Sequence, residues 1–146
     1  MKRFVVILLF NEDMSKILLI KRKKKPYIGL YNGIGGKIEG DESVLECCIR
    51  ETMEEVNVSL FNPKLLVTHI YPENDMLKQN SNIELNVLYD IIKESNFEEN
   101  EEGIFEWLNV DFVLDTNNKL IAGYGNVGLF AREILESENK YDFYKS

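Results

Sequence analysis

The sequence is poor in the residues that build disulfide frameworks and loop-rich scaffolds. Its 146 residues include two cysteines, three prolines and one histidine. The cysteines, Cys47 and Cys48, are adjacent within a segment of helical spacing, where neighbouring side chains do not readily bridge. We therefore expect two small buried thiols in a protein of the reducing cytoplasm.

Long apolar runs are also absent. Phe4–Phe10 follows a basic N-terminus as in a signal peptide, but Asn11–Asp13 comes directly afterwards and no small-residue cleavage site is present. The run is better interpreted as a buried strand. No stretch of the sequence approaches the length of a membrane span, so we expect no membrane partner.

Positive charge is scarce. Seventeen Lys and Arg against 25 Asp and Glu give a net charge of −8. Such a surface argues against tight binding to long nucleic acid, although a bound metal would still permit a single nucleotide. The length and the 45% hydrophobic content predict one domain over residues 1–146.

The apolar segments are separated by turn signals, which predicts a fold of mixed strands and helices. A hairpin is predicted from Phe4–Phe10 and Ile17–Ile20. Further strands are expected at 64–71, 83–92 and 105–110, a turn region at 111–118 and a helix at 129–135.

A glycine turn, Gly33–Gly36, leads into an amphipathic helix around which the chain is organised. Ser43-x-x-Glu46 is a capping-box pattern that marks the helix start. At about 100° per residue, one broad face is apolar. Its members are Leu45, Cys48, Ile49, Thr52 and Val56, and Glu51, Glu54 and Glu55 share an opposite arc.

Three carboxylates in one arc repel each other, which favours a cationic partner. In an arbitrary Glu-rich helix, the commoner explanation is a solvated acidic face with Arg50 as ion-pair partner. Here the glycine turn favours a metal site, because it lets a backbone carbonyl approach the glutamates. A hard divalent cation such as Mg²⁺ takes such oxygen ligands.

The segment resembles the signature of the Nudix hydrolases, G-x5-E-x7-R-E-U-x-E-E-x-G-U, in which U is aliphatic. Gly36, Glu42, Arg50-Glu51 and Glu54-Glu55 occupy its fixed positions before the last glycine. Thr52 replaces an aliphatic residue but keeps a β-branched shape. Asn57 replaces the last glycine, and asparagine is tolerated in the left-handed conformation that ends a helix.

The resemblance implies an α/β fold, the Nudix-type α/β/α sandwich with a mixed β-sheet. It also implies hydrolysis of a nucleoside diphosphate linked to a group X, which turns a nucleoside triphosphate into a monophosphate and pyrophosphate. Arg50 would orient the glutamates, and Mg²⁺, with Mn²⁺ as the alternative, would be the cofactor. The implied metal ligands are the Gly35 carbonyl, Glu51, Glu54 and Glu55, and the proton acceptor stays open among Glu54, Glu55 and Glu102.

Residues outside the signature concern the substrate. Leu30–Lys37 resembles the MutT-like hydrolases of oxidised purine nucleoside triphosphates such as 8-oxo-dGTP, in which an asparagine binds the base after an aromatic residue. Asn32 and Tyr31 match these positions, although Asn32 is equally explained as a turn residue.

Two later positions also resemble these enzymes. Glu102, five residues before Trp107, matches a further metal-binding or base glutamate, with Glu101 as the alternative. Asn126 is the nearest match to the acidic residues that read the base edge, and the missing acid leaves the preference for 8-oxo-dGTP open.

The basic run Lys21–Lys25 is either a solvated strand end or a patch that attracts phosphate, with Lys23 and Lys37 as candidate phosphate contacts. Pro72 lies at about the spacing found in ADP-ribose hydrolases of the family. The expected partner is a small nucleotide, bound by a monomer or homodimer. The alternatives are an ADP-ribose or dinucleoside polyphosphate hydrolase, a non-catalytic nucleotide-binding domain, or an acidic helix for protein interaction.

Overall fold

The computed structural model describes residues 1–25, 27–74, 76, 81–121 and 126–141. Within these, contacts divide the chain into two compact units, each built from two stretches: residues 1–7 with 34–90, and residues 8–33 with the chain from 91 onward. The elements in chain order are β1 (Lys2–Phe10), β2 (Lys16–Arg22), β3 (Tyr31–Asn32), β4 (Ile34–Lys37), α1 (Val44–Val56), β5 (Lys64–Tyr71), β6 (Ile83–Ile91), β7 (Gly103–Asn109), α2 (Val110–Leu114) and α3 (Asn126–Ser137).

The first unit contains α1 and the strands that support it. The N-terminal part of β1 pairs antiparallel with β4, so that Val5 lies opposite Gly36. β1 also neighbours β6, and the two run parallel, because the Lys2 amide donates to the Asn82 carbonyl while the Asn86 side chain donates to the Phe4 carbonyl. β5 pairs antiparallel with β6.

The second unit is centred on β2. β7 pairs antiparallel with the whole of β2, from Lys16 opposite Asn109 to Arg22 opposite Gly103. The other edge of β2 pairs with the end of β1 and with β3. α2 and α3 complete this unit, whose fully buried side chains include Phe10, Ile17, Leu18, Leu19, Ile134 and Leu135.

The predicted α/β class with a mixed sheet is confirmed, as are the β1–β2 hairpin and the strand at 64–71. The turn region predicted at 111–118 is wrong in part, because α2 occupies its start. Val110 and Val113, at helical spacing, are buried there, but one turn is too short to show periodicity in the sequence.

The glycine turn predicted at 33–36 is also wrong in part, because Ile34–Lys37 forms β4. A Cβ at Gly35 would collide with the backbone of Val5 on β1, so this glycine permits close strand pairing. Within the described ranges, no helix is long and apolar enough to cross a membrane.

Candidate functional site

The sequence around α1 fixes both ends of the helix. The Ser43 hydroxyl accepts a hydrogen bond from the Glu46 amide while the Glu46 carboxylate accepts one from the Ser43 amide, which confirms the capping box. Asn57 ends the helix in the left-handed conformation, with φ 56° and ψ 38°, and its amide donates to the Met53 carbonyl. The glutamates between these caps therefore lie on one regular helix.

The buried face of α1 differs from the apolar face that the sequence predicts. Leu45 and Ile49 are 46% and 39% exposed, which contradicts their predicted core positions. The buried residues are Cys47, Cys48, Glu51, Thr52 and Val56. At 100° per residue, the helix is rolled by roughly 60° toward the glutamates. The roll replaces apolar burial with the burial of one carboxylate.

The remaining buried polar groups of α1 are satisfied. Thr52 is fully buried, and its hydroxyl donates to the Cys48 carbonyl at 2.8 Å, which explains why this position tolerates a hydroxyl. Cys47 and Cys48 are fully buried, as predicted, and burial raises the pKa of both thiols to about 12. Neither thiol is suited to nucleophilic chemistry at neutral pH.

Gly36 leaves the space that the Glu51 carboxylate fills. A Cβ on Gly36 would lie closer than 3.0 Å to the carboxylate carbon and both oxygens of Glu51. Glu51 is only 8% exposed, and this burial raises the pKa of its carboxyl. The chain thus holds an acidic group against a strand backbone, where an apolar side chain would ordinarily pack.

Arg50 connects the carboxylates of this site. Its guanidinium donates to Glu42 from Nε at 2.6 Å and from Nη2 at 2.9 Å, and Nη1 donates to Glu51 at 3.0 Å and to Glu54 at 3.2 Å. Nη2 also donates to the Lys37 carbonyl at 3.1 Å. The hydrogen bonds from Arg50 lower the pKa of Glu42 to about 2 and raise that of Arg50 itself.

The role of Glu42 as the main partner of Arg50 is not apparent from the sequence. The two residues are eight positions apart, outside helical i to i+4 spacing, and Glu42 precedes the helix. In the sequence, only its position in the Nudix signature identifies Glu42 as a candidate site residue. The bidentate geometry shows that Glu42 fixes the guanidinium that reaches Glu51 and Glu54.

The residues that the sequence predicts as metal ligands have the donor chemistry that suits a hard divalent cation. Glu51, Glu54 and Glu55 supply carboxylate oxygens and Gly35 a carbonyl, which are the ligand types that Mg²⁺ takes. Within the part of the chain that the structure describes, no three acidic, cysteine or histidine side chains converge as a ready metal site. Glu54 is 58% exposed and paired with Arg50, so its side chain is able to turn toward a cation.

The second unit contains two further predicted site residues, Lys23 and Glu102, and each is paired with neighbouring residues of opposite charge. Lys23 forms an ion pair with Glu99 and donates to the Asn100 carbonyl at 3.3 Å. Glu102 lies 3.9 Å from both Arg22 and Lys24. The predicted phosphate contact and the predicted additional glutamate are thus both members of one surface cluster.

Tyr31 and Asn32 do not form a joint base-binding pair on β3. Successive strand residues point to opposite faces, so one base cannot contact both from the same side of the sheet. Tyr31 is 8% exposed, its hydroxyl donates to Glu106, and its ring packs edge-on against Phe112. Burial raises the pKa of Tyr31 to about 12. These contacts favour a structural role for Tyr31.

The other predicted substrate contacts lie at element ends. The side-chain oxygen of Asn32 accepts a hydrogen bond from the Gly33 amide at 2.8 Å. Asn126 is the exposed first residue of α3, and Lys37 is the exposed last residue of β4. Glu106, which sequence reasoning missed, is identified only by its contact with Tyr31.

Comparisons with known proteins identify the family to which the chain is similar. The sequence model of the NUDIX domain matches residues 1–123. NAD-capped RNA hydrolase NPY1 of Saccharomyces cerevisiae is 28% identical over 124 residues, 82% of this chain and 32% of NPY1. Nudix hydrolase YvcI of Bacillus subtilis is 31% identical over 115 residues, 77% of this chain and 69% of YvcI. The chain therefore spans about a third of the length of NPY1.

Among solved structures, the mutator MutT protein from Bacillus halodurans is similar, with a TM-score of 0.71 and 27% identity, over 89% of this chain and 80% of that protein. The likeness confirms the predicted Nudix-type fold class. Because the family match extends over most of the sequence, this chain belongs to the NUDIX domain family.

Proposed function

We propose that this chain is a metal-dependent pyrophosphohydrolase that cleaves a nucleoside diphosphate linked to a further group. One observation carries the proposal. The Glu51 carboxylate is buried against Gly36, and the Arg50 guanidinium donates to both Glu51 and Glu54. A solvated acidic face would need neither a buried carboxylate nor a glycine beneath it. An acidic interaction helix would not need them either.

Hydrolysis of a phosphoanhydride needs an activated water and neutralised phosphate oxygens. A divalent cation held there, Mg²⁺ or Mn²⁺, would supply both kinds of chemistry: a more acidic water and neutralisation of phosphate charge. The residues that would hold the ion are Glu51, Glu54, Glu55 and the Gly35 carbonyl. Arg50 orients Glu51 and Glu54 through its ion pairs.

We assign Glu54 as the group that accepts the proton of the attacking water. Arg50 contacts Glu42, Glu51 and Glu54. Of the two that are proposed metal ligands, Glu54 is the more exposed, so water reaches it, whereas Glu51 is buried. Glu102 is the alternative acceptor, and its carboxylate lies 3.9 Å from both Arg22 and Lys24. Glu55 is proposed as a metal ligand and not as a proton acceptor.

The substrate class that we place first is a nucleoside triphosphate, including one with an oxidised purine, with Asn32 and Asn126 as the base contacts. Tyr31 is not included among the substrate contacts, because its ring is buried and its hydroxyl donates to Glu106. The second class is a dinucleotide or ADP-ribose type of pyrophosphate. It is favoured by the likeness to NPY1, whose name describes hydrolysis of NAD-capped RNA.

The test is release of pyrophosphate and phosphate from a substrate panel, with Mg²⁺, with Mn²⁺ and with EDTA. The panel contains dGTP, 8-oxo-dGTP, the other nucleoside triphosphates, NAD, ADP-ribose and diadenosine polyphosphates. We expect metal-dependent cleavage, with pyrophosphate and monophosphate as products from a triphosphate. Cleavage confined to NAD or ADP-ribose would favour the second class. A folded protein that cleaves nothing would contradict the proposal and favour a nucleotide-binding domain.

A further inference from the structure

A small cavity lies between α2 and α3, entirely within the second unit. Its volume is about 70 Å³. The floor is apolar, since Val113 and Ile121 line it and are only 1% and 4% exposed. Gly128 also lines it, and a Cβ on this glycine would lie 2.7 Å from the Val113 carbonyl oxygen. The glycine therefore permits the close helix packing that forms this floor.

Two residues of opposite charge line the same cavity at its exposed rim. Asp115 directly follows α2, and Arg132 lies on α3. Arg132 forms its ion pair with Glu136 and not with Asp115. A ligand that carries both a negative and a positive group is therefore able to bind at both rim residues.

Both rim residues are held in place and keep hydrogen-bonding capacity. Arg132 Nε donates to Glu136 at 3.1 Å, and the guanidinium carbon lies 5.0 Å from the centroid of the Tyr141 ring. The two terminal nitrogens of the guanidinium also carry hydrogens to donate. Asp115 Oδ1 accepts from the Asn117 amide at 2.9 Å, and its Oδ2 has lone pairs for a cation.

The size of the cavity limits the class of ligand. A water molecule needs roughly 10–15 Å³ of such volume, so about five groups of the size of a water or a methyl fit inside. A branched aliphatic side chain has this size, whereas a purine base is too large. The cavity therefore differs from a nucleotide site, and its ligand is independent of the proposed hydrolysis.

We propose that this cavity binds a branched aliphatic α-amino acid in its free, zwitterionic form. The side chain packs on Val113 and Ile121, the carboxylate accepts from Arg132, and the ammonium group donates to Asp115. Burial of the aliphatic side chain supplies most of the binding free energy. The two exposed charge contacts contribute less and provide specificity, because they select a ligand with both groups.

The test is an NMR titration of the nitrogen-15-labelled chain with L-leucine, in EDTA and without nucleotide. Three comparison ligands each lack one feature: glycine lacks the apolar side chain, isovalerate the ammonium group and isoamylamine the carboxylate. We expect L-leucine to shift the amide signals of Gly128 and Leu129 with a Kd of about 0.1–1 mM. Isovalerate and isoamylamine should bind about threefold to tenfold more weakly, and glycine should not bind.

Two variants separate the rim charges. Arg132→Gln should weaken binding of L-leucine and isovalerate but not of isoamylamine, and Asp115→Asn should weaken binding of L-leucine and isoamylamine but not of isovalerate. The Arg132 side chain is 53% exposed, and an asparagine at position 115 still accepts from the Asn117 amide, so both variants keep the local fold. Glu133→Gln, an exposed position of α3 outside the cavity lining, is the control and should leave binding unchanged.

Three results would overturn the proposal. The first is no shift of these amides with L-leucine up to about 10 mM, well above the expected Kd. The second is equal affinity for glycine and L-leucine, because the apolar floor would then not be used. The third is unchanged binding of L-leucine in both R132Q and D115N. Each result is independent of whether the chain hydrolyses nucleotides.

Discussion

At the scale of single residues, the burial of Glu51 separates α1 from an ordinary acidic helix. The sequence shows the spacing of the glutamates, and it also indicates that a glycine near them lets the backbone approach closely. The sequence did not reveal that Gly36 lies under the Glu51 carboxylate, because that contact depends on the register of β4 against β1 and on the roll of α1. The sequence likewise did not reveal that Glu42 pairs with Arg50, since this bond joins residues that are not neighbours on the helix.

The contact between Gly36 and Glu51 predicts a coupled pair of mutations. Gly36→Ala should destabilise the protein by about 1–3 kcal/mol, because the added methyl displaces the carboxylate. In a Glu51→Ala background the same change should cost less than about 0.5 kcal/mol, since the obstructing group is gone. Urea denaturation of the four proteins measures this cycle. Equal costs in both backgrounds would contradict the contact.

The bond between Glu42 and Arg50 predicts a dependence of stability on pH. The pKa of Glu42 falls from 4.5 to about 2 in the folded state. Its contribution is therefore fully present above about pH 4.5 and is lost as the pH falls toward about 2. Glu42→Gln should lower the free energy of unfolding at pH 6, and its difference from the unmodified chain should vanish near pH 2.

The control for this series is Glu133→Gln, a change at an exposed position of α3. Denaturation of the three proteins is followed at pH 6, 4, 3 and 2. A difference between the unmodified chain and the Glu42→Gln variant that stays constant across this range would show that Arg50 does not hold Glu42 ionised.

At the scale of elements, local signals predicted the ends of α1 better than its orientation. The capping box and the left-handed Asn57 depend on a few neighbouring residues, and the structure has both. The apolar periodicity pointed to Leu45 and Ile49, which the roll of the helix leaves exposed. β4 escaped prediction because glycine is depleted in strands, and pairing with β1 overrides that preference.

The conformation of Asn57 predicts opposite effects of two small substitutions. Asn57→Gly should raise the free energy of unfolding by about 0.5 kcal/mol, because glycine adopts a positive φ without strain. Asn57→Ala should lower it by about 1 kcal/mol, since alanine has neither this freedom nor the tolerance of asparagine. Urea denaturation measures both variants. Equal stability of the two would show that the helix does not end in the left-handed conformation.

At the scale of the whole molecule, two compact units are each assembled from distant stretches of chain. The sequence predicted the fold class and most strands because apolar runs and turn residues are local. It does not indicate which charged residues contact each other, so the cluster that includes both Lys23 and Glu102 is not apparent from the sequence. The sequence also did not predict which side of the sheet each β3 side chain occupies, because this depends on the pairing of β3 with β2.

The oxygen-rich cluster on α1 predicts stabilisation by a divalent cation. Millimolar Mg²⁺ should raise the midpoint of thermal unfolding, by about 2–4 °C for each kcal/mol of binding free energy. The double variant Glu51→Gln with Glu54→Gln should lose this shift, and KCl at matched ionic strength should not produce it. An equal shift in the double variant would show that Mg²⁺ acts elsewhere.

The most direct test of the proposed chemistry is the rate of hydrolysis of the best substrate by Glu54→Gln. Loss of the proton acceptor should lower the rate by about 10²- to 10⁴-fold at saturating Mg²⁺, with the thermal midpoint little changed. Glu133→Gln, matched in chemistry but on α3, should keep the full rate. Full activity in the Glu54→Gln variant would contradict the proton transfer assigned to Glu54, and full activity in Glu51→Gln as well would contradict the site itself.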